Sequence, residues 1–88
     1  MIPKKYLIRR YKKYTFFFKY EPSHPDLLHI WVRHMKEPKH AIKTFLEGEH
    51  TWNEKYERFE TTSSTNTIYW FWLSEKENKI MIISCFTT

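Results

Sequence analysis

Two stretches of this sequence are apolar on both faces of any strand that they could form. They are TIYWFWL, residues 67–73, and KIMIISCF, residues 79–86. A strand with one solvated face alternates polar and apolar residues, whereas a strand that is apolar throughout is buried on both faces. The polar residues SEKEN between the two stretches are typical of a hairpin turn. We therefore predict two antiparallel neighbours at the centre of a sheet.

Large rings must fill the core of so short a chain. Its 88 residues are 19% aromatic, and a domain of this length buries only about 60–65% of the surface of its unfolded chain. We expect a single compact domain, residues 1–88. No segment approaches the roughly 18 apolar residues of a membrane span, and the basic N-terminus lacks the apolar stretch of a signal peptide. We therefore expect a cytoplasmic protein without membrane contact, and its single cysteine, Cys85, cannot form an internal disulfide.

The positive charge of the chain is concentrated at its start. Residues 1–20 contain seven basic side chains, no acidic one and seven of the 17 aromatic rings, whereas the other 68 residues have 8 basic and 10 acidic side chains. Cations bind phosphates and rings stack on bases, so this segment suits RNA or single-stranded nucleic acid. A solvated basic strand whose rings pack inward is the alternative. The candidate nucleic-acid-binding residues are Lys4, Lys5, Arg9, Arg10, Lys12, Lys13, Tyr11 and Tyr14.

Turn and cap signals divide the rest of the first half of the chain. YTFFFKY, residues 14–20, has the aromatic density of a strand, while residues 4–13 could form a strand, a short helix or an ordered arm. Ser23 resembles an N-cap, which predicts a helix over about 25–36. A second helix is predicted from Pro38 to Glu47, with Gly48 as a left-handed cap after it.

The second half of the chain is predicted to contain strands only. WNEKYERFE, residues 52–60, is interpreted as a polar exposed strand, and residues 61–67 as a loop before the two apolar strands. The predicted organisation is a basic aromatic segment over 1–20, two helices over 24–48 and an antiparallel strand meander over 50–88. The fold class that follows is α+β, with two helices packed on an antiparallel sheet of about four strands.

The segment HIWVRH, residues 29–34, carries the residues most suited to chemistry. At about 100° per residue, His29 and Arg33 lie together opposite the apolar side of the first helix, and His34 lies at its border. A histidine at a border can be half-buried with a shifted pKa, or it can simply satisfy a hydrogen bond of the core. His24, His29 and His34 are spaced by five rather than four residues, so we expect no metal site. One glycine cannot build a phosphate-binding loop, and no cofactor is expected.

These residue types fit metal-free cleavage of RNA, in which the 2′-hydroxyl of the substrate is the nucleophile. The protein then supplies an acid, a base and cations around the phosphorane-like transition state. Histidine and arginine are the side chains that this chemistry needs. Arg58 lies between Glu57 and Glu60, however, and could instead belong to surface ion pairs.

Four short patterns together resemble a known family over about residues 24–88. HIWVRH on a helix, ERFE on a strand, the aromatic strand IYWFWL and the terminal IISCFTT are similar to the barnase, EndoU, colicin and RelE group of small toxin ribonucleases, in its phage-associated form. The resemblance implies that His29 or His34 is the acid or base, that Arg33 and Arg58 bind phosphate and that Ser84 hydrogen-bonds the reacting group. The family more often has threonine at Ser84 and alanine at Cys85, and the basic segment has no counterpart in it.

The expected function is therefore that of a small metal-independent ribonuclease toxin, a hydrolase of a toxin–antitoxin pair. Its partners would be RNA and an acidic cognate inhibitor or antitoxin protein. The rival interpretation is a non-catalytic nucleic-acid- or protein-binding module of phage or plasmid origin that uses the basic segment, and a third is an RNA-binding subunit of a larger particle. The enzyme requires His29, Arg33, His34 and Arg58 to converge, whereas the binder requires residues 4–20 to present one continuous positive face. The choice between DNA and RNA stays open at this point.

Overall fold

Strands make up most of the structure, a computed structural model that describes residues 5–88. In chain order the elements are β1 (Tyr6–Tyr11), β2 (Tyr14–Glu21), β3 (His24–Leu28), α1 (His29–His34), α2 (Pro38–Glu47), β4 (Glu49–Asn53), β5 (Arg58–Thr62), β6 (Asn66–Ser74) and β7 (Lys79–Thr87).

The sheet is mixed and has seven strands, so the predicted antiparallel sheet of about four strands is wrong. Its strand order is β1-β2-β7-β6-β5-β4, and β3 pairs with the end of β2. All pairs are antiparallel except β2 and β7, which run parallel from Thr15↔Lys79 to Phe18↔Ile82. A parallel pair needs a long crossover connection, and here the two helices and the β4–β6 meander provide it.

Two hairpins account for two of the three additional strands, and β3 is the third. The basic segment folds as the hairpin β1–β2, and the predicted strand over 52–60 is the hairpin β4–β5. Lys12 and Glu57 adopt left-handed backbone angles in these two turns, with φ of 54° and 50°. Neither turn contains the glycine that normally marks such a conformation, so the two turns are hard to recognise from the residues alone.

The first helix is only six residues long, and the predicted helical start over 25–28 is wrong. Residues 24–28 instead form β3, which pairs with β2 through Glu21↔His24 and Tyr20↔Leu28. Ser23 does not cap the helix, whose N-cap is Leu28 without a side-chain hydrogen bond. The end of β2 supplies backbone partners that outweigh the weak cap signal.

The second helix has its predicted bounds, but Gly48 acts differently from the prediction. The backbone of Gly48 is extended, with φ −85°. A Cβ at this position would lie 2.7 Å from the carbonyl oxygen of Thr44 and 2.7 Å from Cγ2 of Thr61. Glycine is therefore required by the close approach of α2 to β5, and not by a left-handed turn.

The core lies between the helices and one face of the sheet. β6 and β7 are central, as predicted, and contribute Ile68, Trp70, Ile80, Ile82 and Cys85. The other buried members are Phe16 and Phe18 of β2, Ile30 of α1, and Ala41 and Phe45 of α2. The ring of Phe45 lies between the rings of Phe16 and Trp70, with centroids 5.3 and 5.0 Å away.

The opposite face of the sheet, which we call the outer face, carries the alternate residues of the same strands. Directly paired residues share a face, and the pairs Glu60↔Tyr69, Tyr69↔Ser84, Phe71↔Met81 and Met81↔Phe17 continue across four strands. Thr67↔Phe86 and Tyr6↔Lys19 belong to it as well. Phe71 is 37% and Tyr6 is 44% exposed on this face. An exposed face with several rings is where a ligand of this protein could bind.

Candidate functional site

An irregularity in β7 places Ser84 on the outer face. Trp70 pairs with Ile82 and Tyr69 with Ser84, so that Ile83 is an extra residue in β7. Such a bulge shifts the alternation of side chains. Cys85 therefore points into the core, and Ser84 lies opposite Tyr69.

Two of the predicted catalytic residues, Arg58 and Ser84, adjoin Tyr69, and a third, His34, is linked to it through the ring of Phe86. The guanidinium carbon of Arg58 lies 3.7 Å from the centre of the Tyr69 ring, and the ring of Phe86 is 5.1 Å away from the same ring, edge to face. The imidazole of His34 lies 5.7 Å from the Phe86 ring. His34, Arg58 and Ser84 are thus joined through two aromatic rings. We call these five residues the Tyr69 site.

Arg58 is both an ion-pair partner and a cation available to a ligand. Its Nε donates to Glu60 at 3.0 Å, and Asn53 donates to the same carboxylate oxygen at 2.9 Å. The bond from Asn53, followed by Arg58, lowers the pKa of Glu60. Among residues 5–88, the two Nη groups of Arg58 have no hydrogen-bond partner. They can bind phosphate while Glu60 and Tyr69 fix the side chain.

The four side chains that the enzyme requires do not all converge at the Tyr69 site, because His29 and Arg33 bind a buried carboxylate instead. Glu21 accepts from Nδ1 of His29 at 2.9 Å, and from Nε and Nη2 of Arg33 at 3.2 and 3.3 Å. The bonds to Arg33 and His29 lower the pKa of Glu21. Because an ionised carboxylate can only accept, Nδ1 of His29 carries the proton of this bond and Nε2 is left for another partner. We call these three residues the Glu21 cluster.

His34 connects the Glu21 cluster electrostatically to the Tyr69 site. It is exposed, not half-buried as predicted. Partial loss of water around the ring is the main cause that lowers its pKa, and the positive charges of His29, Arg33 and Lys36 add to this effect. The ring is therefore more often neutral at neutral pH than a histidine in water.

The basic segment does not present one continuous positive face. Arg10 points to the outer face, because it pairs with Thr15, whereas Arg9 and Tyr11 point to the opposite side. Lys12 and Lys13 lie in the turn, next to the rings of Tyr11 and Tyr14 at 5.6 and 5.4 Å. Lys5 is exposed before β1, and Lys4 lies outside the described residues. The period of a strand divides these cations between two faces.

Sequence reasoning missed three members of the Tyr69 site and the Glu21 cluster, namely Glu21, Tyr69 and Phe86; for two of them a signal was present. The signal for Glu21 was its position: it is the first acidic residue of the chain and directly follows the basic segment, residues 1–20. Tyr69 is the only ring with a hydroxyl group in IYWFWL. Neither signal indicates which distant side chains these residues contact.

Two other kinds of site find no support in the described part of the chain. Within residues 5–88, no three His, Cys, Asp or Glu side chains are grouped so as to hold a metal ion. Cys85 is fully buried, and burial raises the pKa of its thiol to about 11. A thiol of this kind is a poor nucleophile at neutral pH.

No family model, curated protein or solved structure matches the chain. Within the described residues, neither helix has the length and apolar character needed to cross a membrane.

Proposed function

We propose that the protein is a small metal-independent ribonuclease of toxin type, which uses the 2′-hydroxyl of RNA as the nucleophile. One observation carries the proposal: Arg58 and Ser84 adjoin Tyr69 on the outer face, and the ring of Phe86, which contacts Tyr69, also contacts His34. These are the residue types that such a reaction requires, and they come from three separate elements.

His34 is the better candidate for the general base. A base must be unprotonated, and the lowered pKa of His34 favours its neutral form. His29 is then the candidate acid, because Glu21 holds Nδ1 and orients the ring. A protonated Nε2 of His29 would donate to the leaving 5′ oxygen.

The remaining members of the surface would hold the RNA. Arg58 offers its two Nη groups to the non-bridging phosphate oxygens, which gain negative charge in the transition state. Ser84 can donate a hydrogen bond from β7, and the rings of Tyr69 and Phe86 can stack on a base. An inhibitor that covers this surface should be acidic, because the cations dominate it.

The test is cleavage of a labelled single-stranded RNA in EDTA. The wild type is compared with His34→Ala and with His24→Ala, a matched control because His24 is exposed on β3 and is not part of the site. Acid–base catalysis contributes about 10²- to 10⁴-fold, so His34→Ala should lose at least about 100-fold in rate while His24→Ala keeps it. The wild-type product should carry a 2′,3′-cyclic phosphate, and RNA with a 2′-deoxy sugar at the cut should stay intact.

Two results would contradict the enzyme. One is a folded His34→Ala variant that cuts as fast as the wild type. The other is a wild type that binds RNA and never releases a cyclic product. The second result would favour the alternative, a non-catalytic binding module, for which the exposure of β1 is the supporting observation: Tyr6, Ile8 and Tyr11 are 44%, 49% and 44% exposed.

A further inference from the structure

A pocket of about 420 Å³ lies on the outer face, next to the Glu21 cluster. Its walls include the rings of Tyr6 and Phe71, the side chain of Met81, and two basic groups, Lys19 and His29. The proposed mechanism uses only His29 among these residues. The volume is within the range of about 300–1,000 Å³ that is typical of small-ligand sites.

The apolar part of the pocket suits a flat aromatic ligand. Phe71 is 37% exposed and Tyr6 is 44% exposed, whereas Met81 is buried beneath them in the sheet. The ring of Tyr6 also meets the ring of Phe17 edge to face at 6.4 Å, which supports its position. Exposed rings on a sheet are the surfaces on which nucleobases stack.

The charged part of the pocket suits a phosphate. Lys19 is exposed, and no carboxylate of residues 5–88 lies within ion-pair distance of it. Nε2 of His29 is the second polar group, because Nδ1 is occupied by Glu21. Rings together with an unpaired cation favour a nucleotide over a purely apolar ligand.

The pocket and the Tyr69 site lie side by side. Phe71 follows Tyr69 by two residues on β6 and shares its face, which separates them by about 7 Å. His29 lines the pocket and, through its charge, also contributes to the lowered pKa of His34. A nucleotide in the pocket would therefore be a near neighbour of one that reacts at the Tyr69 site.

We propose that this pocket binds a nucleobase of the RNA substrate next to the scissile phosphate, with Phe71 and Tyr6 stacking on the base and Lys19 binding a phosphate of the same strand. The inference rests on the proposed ribonuclease function for its substrate, but it concerns binding and can be tested without cleavage.

The experiment measures the affinity of the full chain for a 2′-O-methyl RNA oligonucleotide, which lacks the nucleophile and cannot be cut. Phe71→Ala is compared with Leu73→Ala, a matched control because Leu73 is an apolar residue two positions further along β6 and is 45% exposed, yet is not among the lining residues. Loss of one stacking ring should weaken binding at least about fivefold. Leu73→Ala should bind within about twofold of the wild type, and Phe71→Trp should restore the loss, because stacking needs only a ring.

Lys19→Gln tests the phosphate contact in the same assay. Removal of one phosphate-binding cation should reduce the slope of log affinity against log salt by about 0.7. Lys43→Gln is the control, because Lys43 is exposed on α2, on the opposite side of the sheet. Its slope should equal that of the wild type.

The outcomes separate this inference from the proposed function. If Phe71→Ala binds the oligonucleotide as tightly as the wild type, or if the wild type does not bind it, the pocket does not hold a base, whatever the cleavage assay shows. If Phe71→Ala weakens binding while the wild type cuts no RNA, the pocket stands and the catalytic proposal fails.

Discussion

At the scale of single residues, His34 and His50 are both exposed histidines with a lowered pKa, but only at His34 do neighbouring positive charges contribute to the shift. An exposed ring can reach a substrate, and the lowered pKa keeps it unprotonated. We expect the acidic limb of kcat/KM against pH to have its midpoint below 6.5, the ordinary value for histidine. An NMR titration of the His34 ring should give the same midpoint without reference to activity.

The charge of Lys36 provides a control for this prediction. Lys36 is one of the cations that lower the pKa of His34, so Lys36→Gln should move the midpoint upward, toward 6.5. A midpoint that stays in place would mean that the charge of Lys36 does not contribute to the shift. The lowered pKa of His34 also makes the free energy of unfolding depend on pH, in the same direction as for a buried neutral histidine. The unfolded chain binds this proton more readily, so His34 lowers stability as the pH falls through 6.5.

The composition of the site was only partly predictable from single residues. HIWVRH correctly separated His29 and Arg33 from His34, because the period of a helix depends only on neighbours in sequence. The pairing with Glu21 was not predictable, since Glu21 lies 8 residues before His29 and 12 before Arg33 and joins them through the sheet. The contact between Arg58 and Tyr69 requires the strand register, which the sequence leaves open.

At the scale of elements, α2 is attached to the sheet mainly through Phe45. The ring of Phe45 contacts those of Tyr14, Phe16, His50 and Trp70 at centroid distances of 4.9 to 5.3 Å. Phe45→Ala should lower the free energy of unfolding by about 3–5 kcal/mol, whereas Leu46→Ala, at a site that is 40% exposed, should cost less than about 1 kcal/mol. Urea unfolding of the two variants measures the difference. Equal losses would show that α2 is held by its whole surface.

The number of elements was underestimated because the turns lack glycine. Among residues 5–88, four non-glycine residues have positive φ, namely Lys12, Met35, Glu57 and Asn78. The chain has one glycine, and Gly48 is used for a close contact between backbone and side chain. Hairpins are normally recognised by glycine in their turns, so β1–β2 and β4–β5 were hard to detect. Patterns of apolar residues, by contrast, correctly predicted β6 and β7 at the centre.

At the scale of the whole molecule, the basic N-terminal segment is part of the fold and not an addition to it. Phe16 and Phe18 of β2 are 0% and 1% exposed, and β2 lies between β1 and β7. Deletion of residues 1–22 should therefore abolish cooperative unfolding, because it leaves the core open and removes the partner of β7. Circular dichroism during thermal unfolding is the measurement.

A second variant separates packing from charge in this segment. Lys12→Gln combined with Lys13→Gln changes only exposed side chains of the turn and should unfold like the wild type. A deletion variant that unfolds cooperatively would show instead that the segment is dispensable for the fold.

The parallel pairing of β2 with β7 also determines when the Tyr69 site can be complete during folding. Phe16 and Ile80 are paired across 64 intervening peptide bonds, and closing a loop of that length costs about 4 kcal/mol of chain entropy beyond a constant. We expect this contact to form late in folding, after the local hairpins. Ser84 and Phe86 lie on the same strand, so a chain still being synthesised would carry its histidines and arginines for most of that time without an assembled site.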